Sequence, residues 1–170
     1  MKLVLLTVLM LTLNTCLVNA QRVSTFDEDI TSFSKSIICK APDQQFPVSV
    51  EARLISDSRS DSVAVVVKVK IADGWHIYEF VPENMPYLTT EYILDVDNNI
   101  TKAGIWQKSE AIESPAEKGV MFYENEAIFI HKLKKSSPTA KGQVNTGLYY
   151  QCCNLFQCMP PVEKAIKLNY

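Results

Sequence analysis

Apolar residues occupy every second position over several stretches of this chain, which is the spacing of a β-strand with one buried face. The clearest stretch covers residues 63–71, where each odd position is Val or Ile and where Lys68 and Lys70 lie on the opposite face. Weaker forms of the same alternation mark eight further segments: residues 48–54, 75–80, 89–96, 100–106, 121–123, 127–133, 144–150 and 162–168. Turn-forming Gly, Asn, Asp and Pro residues separate many of these segments.

Eight or nine short strands with hardly any helix predict an all-β fold. An antiparallel β-sandwich buries that many one-sided strands, and a small barrel is the alternative. The length of 170 residues suits a single domain. We place this domain at residues 46–170.

The first 20 residues have the features of an export signal. Lys2 precedes an apolar run at residues 3–13, and Val18 and Ala20 put small residues at the −3 and −1 positions of a cleavage site. This run is too short for a membrane-spanning helix, which needs about 20 apolar residues. We therefore expect cleavage after residue 20 and an exported protein. An uncleaved anchor and lipidation at Cys16 are the minor alternatives.

Composition argues against a nucleic-acid partner. The chain has 17 Lys and Arg residues against 19 Asp and Glu residues, a net charge of −2. It therefore has no basic field that would attract a phosphate backbone. Hydrophobic residues make up 47% of the sequence, as in a globular protein rather than a disordered one.

Residues 21–45 form a lead-in segment ahead of the predicted sandwich. Ile30, Phe33 and Ile37 have helical spacing, and the three acidic residues 27–29 precede them, as at a helix N-terminus. A short helix and an extended arm docked on the sandwich both fit this pattern.

The candidate chemistry is concentrated in residues 149–161, Tyr-Tyr-Gln-Cys-Cys-Asn-Leu-Phe-Gln-Cys-Met-Pro-Pro. Strands lead into and out of the loop between Cys153 and Cys158, so the two sulfurs can come within bonding range. A disulfide across so short a loop stabilises a fold by only about 2 kcal/mol in the chain-entropy model. Spacing alone leaves a redox pair and a structural disulfide open. Zinc is a weaker third interpretation, because His76 and His131 are the only histidines.

Nothing in the local sequence activates a thiol. Pro160 and Pro161 lack amide donors and push Met159 toward extended backbone. No helix can therefore begin at Cys158, and no helix dipole lowers its pKa. Residues 144–161 also contain no Lys, Arg or His. A partner must then bring its own activated thiolate, which describes an electron carrier between proteins.

Two motifs carry a resemblance to a known family. Residues 150–161 contain Tyr-Gln-Cys-Cys, four further residues and Cys-Met-Pro-Pro, and residues 74–78 are Gly-Trp-His-Ile-Tyr. They resemble the Tyr-Gln-x-Cys…Cys-x-Pro-Pro signature and the aromatic Gly-Trp-His-x-Tyr strand of the N-terminal domain of DsbD. DsbD is the thiol:disulfide interchange reductase of the bacterial periplasm. The resemblance extends over residues 46–170.

This resemblance implies an immunoglobulin-like sandwich, located in the periplasm, whose Cys153–Cys158 pair relays electrons. We expect no cofactor. In the family, the domain takes reducing equivalents from a thioredoxin-like domain. It passes them to periplasmic thiol-disulfide proteins, including a disulfide isomerase and a cytochrome c maturation factor. The resemblance further implies that Cys158 forms the mixed disulfide with a partner and that Cys153 resolves it.

The resemblance also names residues around the site. Tyr78 matches an aromatic residue that lies near the family disulfide, and Gln151 matches the signature glutamine. The other candidates for the site or for a partner surface are Tyr150, Phe156 and Pro160.

Three departures from the family pattern modify these expectations. Family members continue into a transmembrane reductase and a thioredoxin-like domain, so we expect those parts, including a membrane electron conduit, as separate proteins. The family loop that shields the disulfide with Phe-Tyr corresponds to residues 109–119, which contain no aromatic residue. Phe122 and Phe80 are the candidates to replace it. Cys152 stands where the family has a small residue.

Cys39 and Cys152 remain once Cys153 and Cys158 are paired. A bond between them would close a loop of more than about 100 residues and stabilise the fold by up to nearly 5 kcal/mol. Two free or buried thiols are equally compatible with the sequence. A second hypothesis for the whole chain is a β-sandwich module that binds a protein or a glycan and has a merely structural disulfide.

Overall fold

The structure is a computed structural model that describes residues 25–170. The predicted export signal, with Cys16, lies outside these residues. The described chain has one α-helix, α1 (Phe26–Ser36), and eleven strands: β1 (Val48–Ser56), β2 (Ser62–Ile71), β3 (His76–Phe80), β4 (Glu91–Val96), β5 (Ile100–Lys108), β6 (Ile112–Glu113), β7 (Met121–Tyr123), β8 (Glu126–Lys135), β9 (Gln143–Tyr150), β10 (Cys152–Cys153) and β11 (Val162–Asn169).

The predicted strands are confirmed. Each segment with alternating apolar residues forms a strand, with bounds that differ by a few residues. The alternation did not reveal β6 and β10, because a two-residue strand is too short to show a period. Of the two possibilities for the lead-in segment, the structure shows the short helix, which begins after Thr25. The Thr25 hydroxyl accepts a hydrogen bond from the Glu28 amide at 3.3 Å, and the Glu28 carboxylate accepts one from the Thr25 amide at 2.8 Å.

The strands form an immunoglobulin-like antiparallel sandwich. Its two larger sheets have the strand orders β1-β2-β8-β5 and β11-β9-β4. A third sheet has the order β10-β3-β7-β6. We call it the smaller sheet, because its four strands are short and contain fewer residues than those of either other sheet. All three sheets contribute side chains to one buried core. Within residues 25–170, no helix is long and apolar enough to cross a membrane.

Strand β2 is apolar on both faces over residues 63–67, because this part separates two buried layers. Its odd positions, from residue 63 to residue 71, face the main core. Ala64 and Val66 face the other way and pack against Ile30 and Ile37 of the lead-in segment. The helix therefore covers an outer sheet face that would otherwise expose apolar side chains to water.

The smaller sheet positions the cysteine segment. Strand β10 pairs with β3, so that Cys153 lies opposite His76, and β3 pairs with β7, so that Tyr78 lies opposite Phe122. The two motifs that carried the family resemblance are thus neighbouring strands of one sheet.

Candidate functional site: a disulfide hairpin beside an aromatic cavity

A tight hairpin, residues 152–159, carries a disulfide between Cys153 and Cys158. We call this segment the disulfide hairpin. The side-chain oxygen of Asn154 accepts hydrogen bonds from the amides of Phe156 and Gln157, at 2.8 and 2.9 Å. The amide of Asn154 donates to the Gln157 carbonyl at 2.9 Å. These contacts form an Asx-type turn that shapes the loop in addition to the sulfur–sulfur bond.

The two bonded cysteines differ sharply in exposure. Cys153 is 1% exposed and lies in a small buried cluster with Tyr78 and Val120. Cys158, on the other arm of the hairpin, is an exposed residue. A thiolate from another protein can therefore approach Cys158 but not Cys153.

A cavity of about 660 Å³ lies next to the disulfide hairpin and includes Cys158 in its lining. We call it the aromatic cavity, because six aromatic side chains are part of its lining: Trp75, His76, Tyr78, Tyr87, Phe122 and Phe156. The His76 ring lies 4.9 Å from the ring of Phe122 and 5.0 Å from that of Tyr78, and Tyr78 stacks on Tyr87 at 4.9 Å between centroids. The Tyr78 hydroxyl lies 3.1 Å from Nε2 of His76.

Two loops complete the cavity wall. Tyr87 donates a hydrogen bond to the Glu117 carboxylate at 2.8 Å, which joins the loop before β4 to the loop before β7. The side-chain oxygen of Gln151 accepts a hydrogen bond from the Leu88 amide at 3.1 Å, which ties the base of the disulfide hairpin to the first of these loops. Residues 114–117 line the cavity without an aromatic side chain.

Of the two candidates to replace the family's shielding aromatics, Phe122 lines the aromatic cavity. Phe80 is 53% exposed and is not part of the lining. Strict alternation along β3 would put Phe80 on the same face as Tyr78, which points into the cavity. The pairing of β3 with β7 shifts between these two residues, so Phe80 does not follow Tyr78 into the cavity.

The electrostatic surroundings do not activate a thiol. Among the described residues, the charged side chains that line the aromatic cavity are Glu117 and Glu124, with no Lys or Arg. Burial lowers the pKa of His76, which is therefore neutral near pH 7, although the two carboxylates act in the opposite direction. Burial raises the pKa of Tyr78, so its hydroxyl stays protonated.

The structure holds Cys39 and Cys152 as free, buried thiols. Cys39 donates a weak hydrogen bond to the Lys68 carbonyl at 3.5 Å. The charged residues around it belong to the outer face of β1, β2 and β8, so Cys39 lies on the outer side of that sheet. Cys152 belongs to the main core, on the inner side. Burial raises the pKa of Cys39, and it raises that of Cys152 to about 12.

The remaining predicted site residues lie in two places. Phe156 is 92% exposed at the tip of the disulfide hairpin. Tyr150 is 4% exposed and packs in the main core, because it occupies an inward-facing position at the end of β9. Tyr150 and Pro160 line a second groove, together with Cys152 and the segment at residues 40–51, and that groove does not include Cys158.

A family model decides the relationship. The model described as "Thiol:disulfide interchange protein DsbD, N-terminal" matches residues 41–169. The chain belongs to this family. It is accordingly a DsbD N-terminal-type domain of the thiol–disulfide interchange class.

Solved structures that match this chain include the N-terminal periplasmic domain of ScsB from Proteus mirabilis, at 20% identity and a TM-score of 0.47, covering 77% of this chain and 49% of that one. The reduced N-terminal domain of DsbD from Neisseria meningitidis matches at 22% identity and a TM-score of 0.43, covering 65% and 82%. A complex of the DsbD and PilB N-terminal domains from the same organism matches at 18% identity and a TM-score of 0.42, covering 69% and 80%. The chain spans about half the length of the ScsB chain. No curated protein sequence matches it.

Sequence reasoning missed three residues of this DsbD-type site. Asn154 follows the first bonded cysteine and precedes a short loop, which is a recognisable Asx-turn signal. Tyr87 and Glu117 come from irregular loops that are far apart in the sequence, and no local pattern indicates that they meet.

Proposed function

We propose that this domain carries two electrons between proteins by thiol–disulfide exchange at Cys153 and Cys158. The observation that carries the proposal is the difference in exposure between the two bonded residues. A purely structural disulfide has no need for one accessible sulfur and one buried sulfur, whereas an exchange site needs a defined point of attack.

The proposed reaction proceeds in two balanced steps. A partner thiolate attacks Sγ of Cys158, the Cys153–Cys158 bond breaks, and its electron pair leaves on Cys153, which takes a proton from solvent. The partner's second thiolate then attacks the partner sulfur of the mixed disulfide and releases Cys158 as a thiolate. The partner dithiol is oxidised to a disulfide and the domain is reduced by two electrons. The same steps in reverse reduce the disulfide of an acceptor protein.

The surroundings of the hairpin support a carrier that depends on its partners. Carboxylates and a neutral histidine do not lower the pKa of a cysteine thiol. The activated thiolate must therefore belong to the incoming protein. We infer that the donor is a thioredoxin-like protein, itself reduced through a membrane electron conduit. The acceptors would be periplasmic thiol-disulfide proteins, including those that serve cytochrome c maturation.

The proposal includes the organisation of the precursor. An export signal at residues 1–20 and a lead-in at residues 21–45 precede the carrier domain at residues 46–170. Export would place the disulfide hairpin in an oxidising compartment, where its partners also reside.

A trapping experiment tests the exchange reaction. We expect the Cys153→Ser variant to capture acceptors as stable mixed disulfides through Cys158, because the resolving thiol is gone. The matched Cys158→Ser variant keeps the buried member of the pair, Cys153, and should capture no acceptor. Equal capture by both variants would contradict the proposed roles. A Cys153–Cys158 bond that stays oxidised at potentials well below about −300 mV would instead indicate a structural disulfide in a binding module.

A further inference from the structure

The tip of the disulfide hairpin presents two large apolar side chains to solvent. Leu155 and Phe156 are 91% and 92% exposed, and both lie between the bonded cysteines. The Asn154 turn braces the backbone beneath them. An adjacent pair of exposed apolar side chains on a braced loop costs little entropy to bury and is typical of a contact surface.

A negatively charged rim lies beside this apolar tip. Glu117 and Glu124 line the aromatic cavity together with Leu155, Phe156 and Cys158. Both carboxylates act electrostatically on His76, which lies opposite Cys153 in the sheet. Lys118 follows Glu117 in sequence but is exposed and is not part of the lining. A bare thiolate that approached Cys158 would therefore meet like charge.

We propose that this surface selects partners whose attacking cysteine lies between an apolar groove and a cationic group. The inference rests on the proposed exchange at Cys158. The groove would receive Leu155 and Phe156. The cation would lower the pKa of the partner's own thiol before contact and would face Glu117 and Glu124 after it.

This arrangement separates two classes of reductant. A small dithiol such as dithiothreitol has neither a groove nor a cation, so it reaches the exposed Cys158 without using the proposed surface. A folded thiol protein must place its surface over the hairpin tip to bring its sulfur into range. Both reductants attack as thiolates beside the same carboxylates, so the ratio of their rates reports on contact with Leu155 and Phe156. The dithiothreitol rate shows whether the disulfide can still be attacked.

The apolar part is tested with the full chain carrying Leu155→Ser and Phe156→Ser, with reduced thioredoxin and dithiothreitol as probes. We expect the ratio of the thioredoxin rate to the dithiothreitol rate to fall about tenfold or more, as for loss of an interface anchor. Ile105→Ser is the matched control, because Ile105 is 85% exposed and lines a different groove. An unchanged ratio in the double variant, or an equal fall in the control, would overturn the apolar part.

The charged part is tested with two thioredoxin probes that differ only in the residue after the first active-site cysteine, Lys in one and Glu in the other. Each probe's rate is first normalised by its rate with the uncharged bis(2-hydroxyethyl) disulfide, which removes its intrinsic reactivity without a charge preference of its own. We expect the Lys probe to react several-fold faster with the wild-type domain at low salt. Glu117→Gln with Glu124→Gln should remove that preference, and Glu163→Gln should keep it. An absent preference in the wild type, or one that survives both substitutions, would overturn the charged part.

Failure of the underlying exchange reaction looks different from either result. In that case dithiothreitol would not reduce the wild-type disulfide at ordinary potentials, and no probe would react. Loss of selectivity with intact dithiothreitol reduction would reject only the docking surface.

Discussion

The four cysteines of the described chain form two sets that differ in bonding and in access to solvent. Cys158 ends an exposed hairpin beside a cavity, and its bonded neighbour lies just beneath the surface. Cys39 and Cys152 are free thiols buried on the two sides of one sheet. Of these four cysteines, Cys158 is the exposed one. Cys152 and Cys153 are adjacent in sequence and both are buried, but they belong to different clusters. Strand alternation turns Cys152 toward the main core and Cys153 toward the small cluster that contains Tyr78 and Val120.

The largest expected effect comes from removing one pair or the other. We expect Cys158→Ala to abolish reduction of the domain by thioredoxin, because no attackable disulfide remains. The double variant Cys39→Ala with Cys152→Ala should be reduced at a rate within about twofold of the wild type, since both thiols are buried and neither belongs to the bond that is attacked. Stopped-flow fluorescence or a coupled thiol assay measures the rates. Activity that depends on Cys152 would erase the proposed distinction between the pairs.

Alkylation sharpens the comparison further. A pKa of about 12 for Cys152 leaves its thiolate on the order of 1000-fold scarcer at pH 8 than for an ordinary cysteine. We therefore expect the oxidised native protein without residues 1–20, which include Cys16, to take up almost no iodoacetamide, and the same protein in denaturant to take up two equivalents. Mass spectrometry counts the labels. Rapid native labelling of either thiol would show that it is more accessible than the fold implies.

Stability measurements should give a less obvious result. Loss of the disulfide in Cys153→Ala with Cys158→Ala should lower the free energy of unfolding by about 2 kcal/mol, because the closed loop is short. Cys152→Ser breaks no covalent bond, yet it puts a more strongly hydrated hydroxyl beside the His76 amide in an apolar core, which should cost about 1–3 kcal/mol. Urea unfolding of the three proteins checks this. A much larger loss in the disulfide variant would favour a structural role for that bond.

The smallest effect concerns His76, which lies beside the bonded pair. Its pKa is lowered in the folded domain, whereas the unfolded chain has the ordinary value near 6.5. The unfolded state therefore binds the proton first, and the free energy of unfolding should decrease as the pH falls below about 6.5. The slope for one proton is at most about 1.4 kcal/mol per pH unit. His76→Gln should flatten this part of the stability profile, and an unchanged profile would assign the effect to other groups.

The sequence predicts the strands well and the walls of the site poorly, for a physical reason. The alternation at residues 63–71 directly records which face of β2 is buried, so the strand and its inner face follow from it. The same alternation does not predict that α1 covers Ala64 and Val66, because the helix lies about 30 residues earlier in the sequence and the pattern within one strand does not identify what packs on its outer face. The cysteine motif likewise locates the hairpin.

The contact between Tyr87 and Glu117 shows where such prediction stops. Each residue lies in an irregular loop, and the hydrogen bond that joins them depends on the pairing of β3 with β7. Tyr150 shows the converse case, since its place in a signature motif suggested a surface role while its position in β9 makes it a core residue. Motif membership identifies a region, and the fold decides which members of the motif face outward.

The Asn154 turn has a consequence for the direction of electron flow. Its side chain and the backbone bond from the Met159 amide to the Cys152 carbonyl shape the loop without using the sulfurs, so we expect them to hold it in the reduced domain as well. The oxidised and reduced domains should then offer nearly the same shape to other proteins, and neither form would be bound much more tightly. In the proposed relay, net flow would follow the relative potentials and abundances of the partners, without a conformational change to make either transfer irreversible.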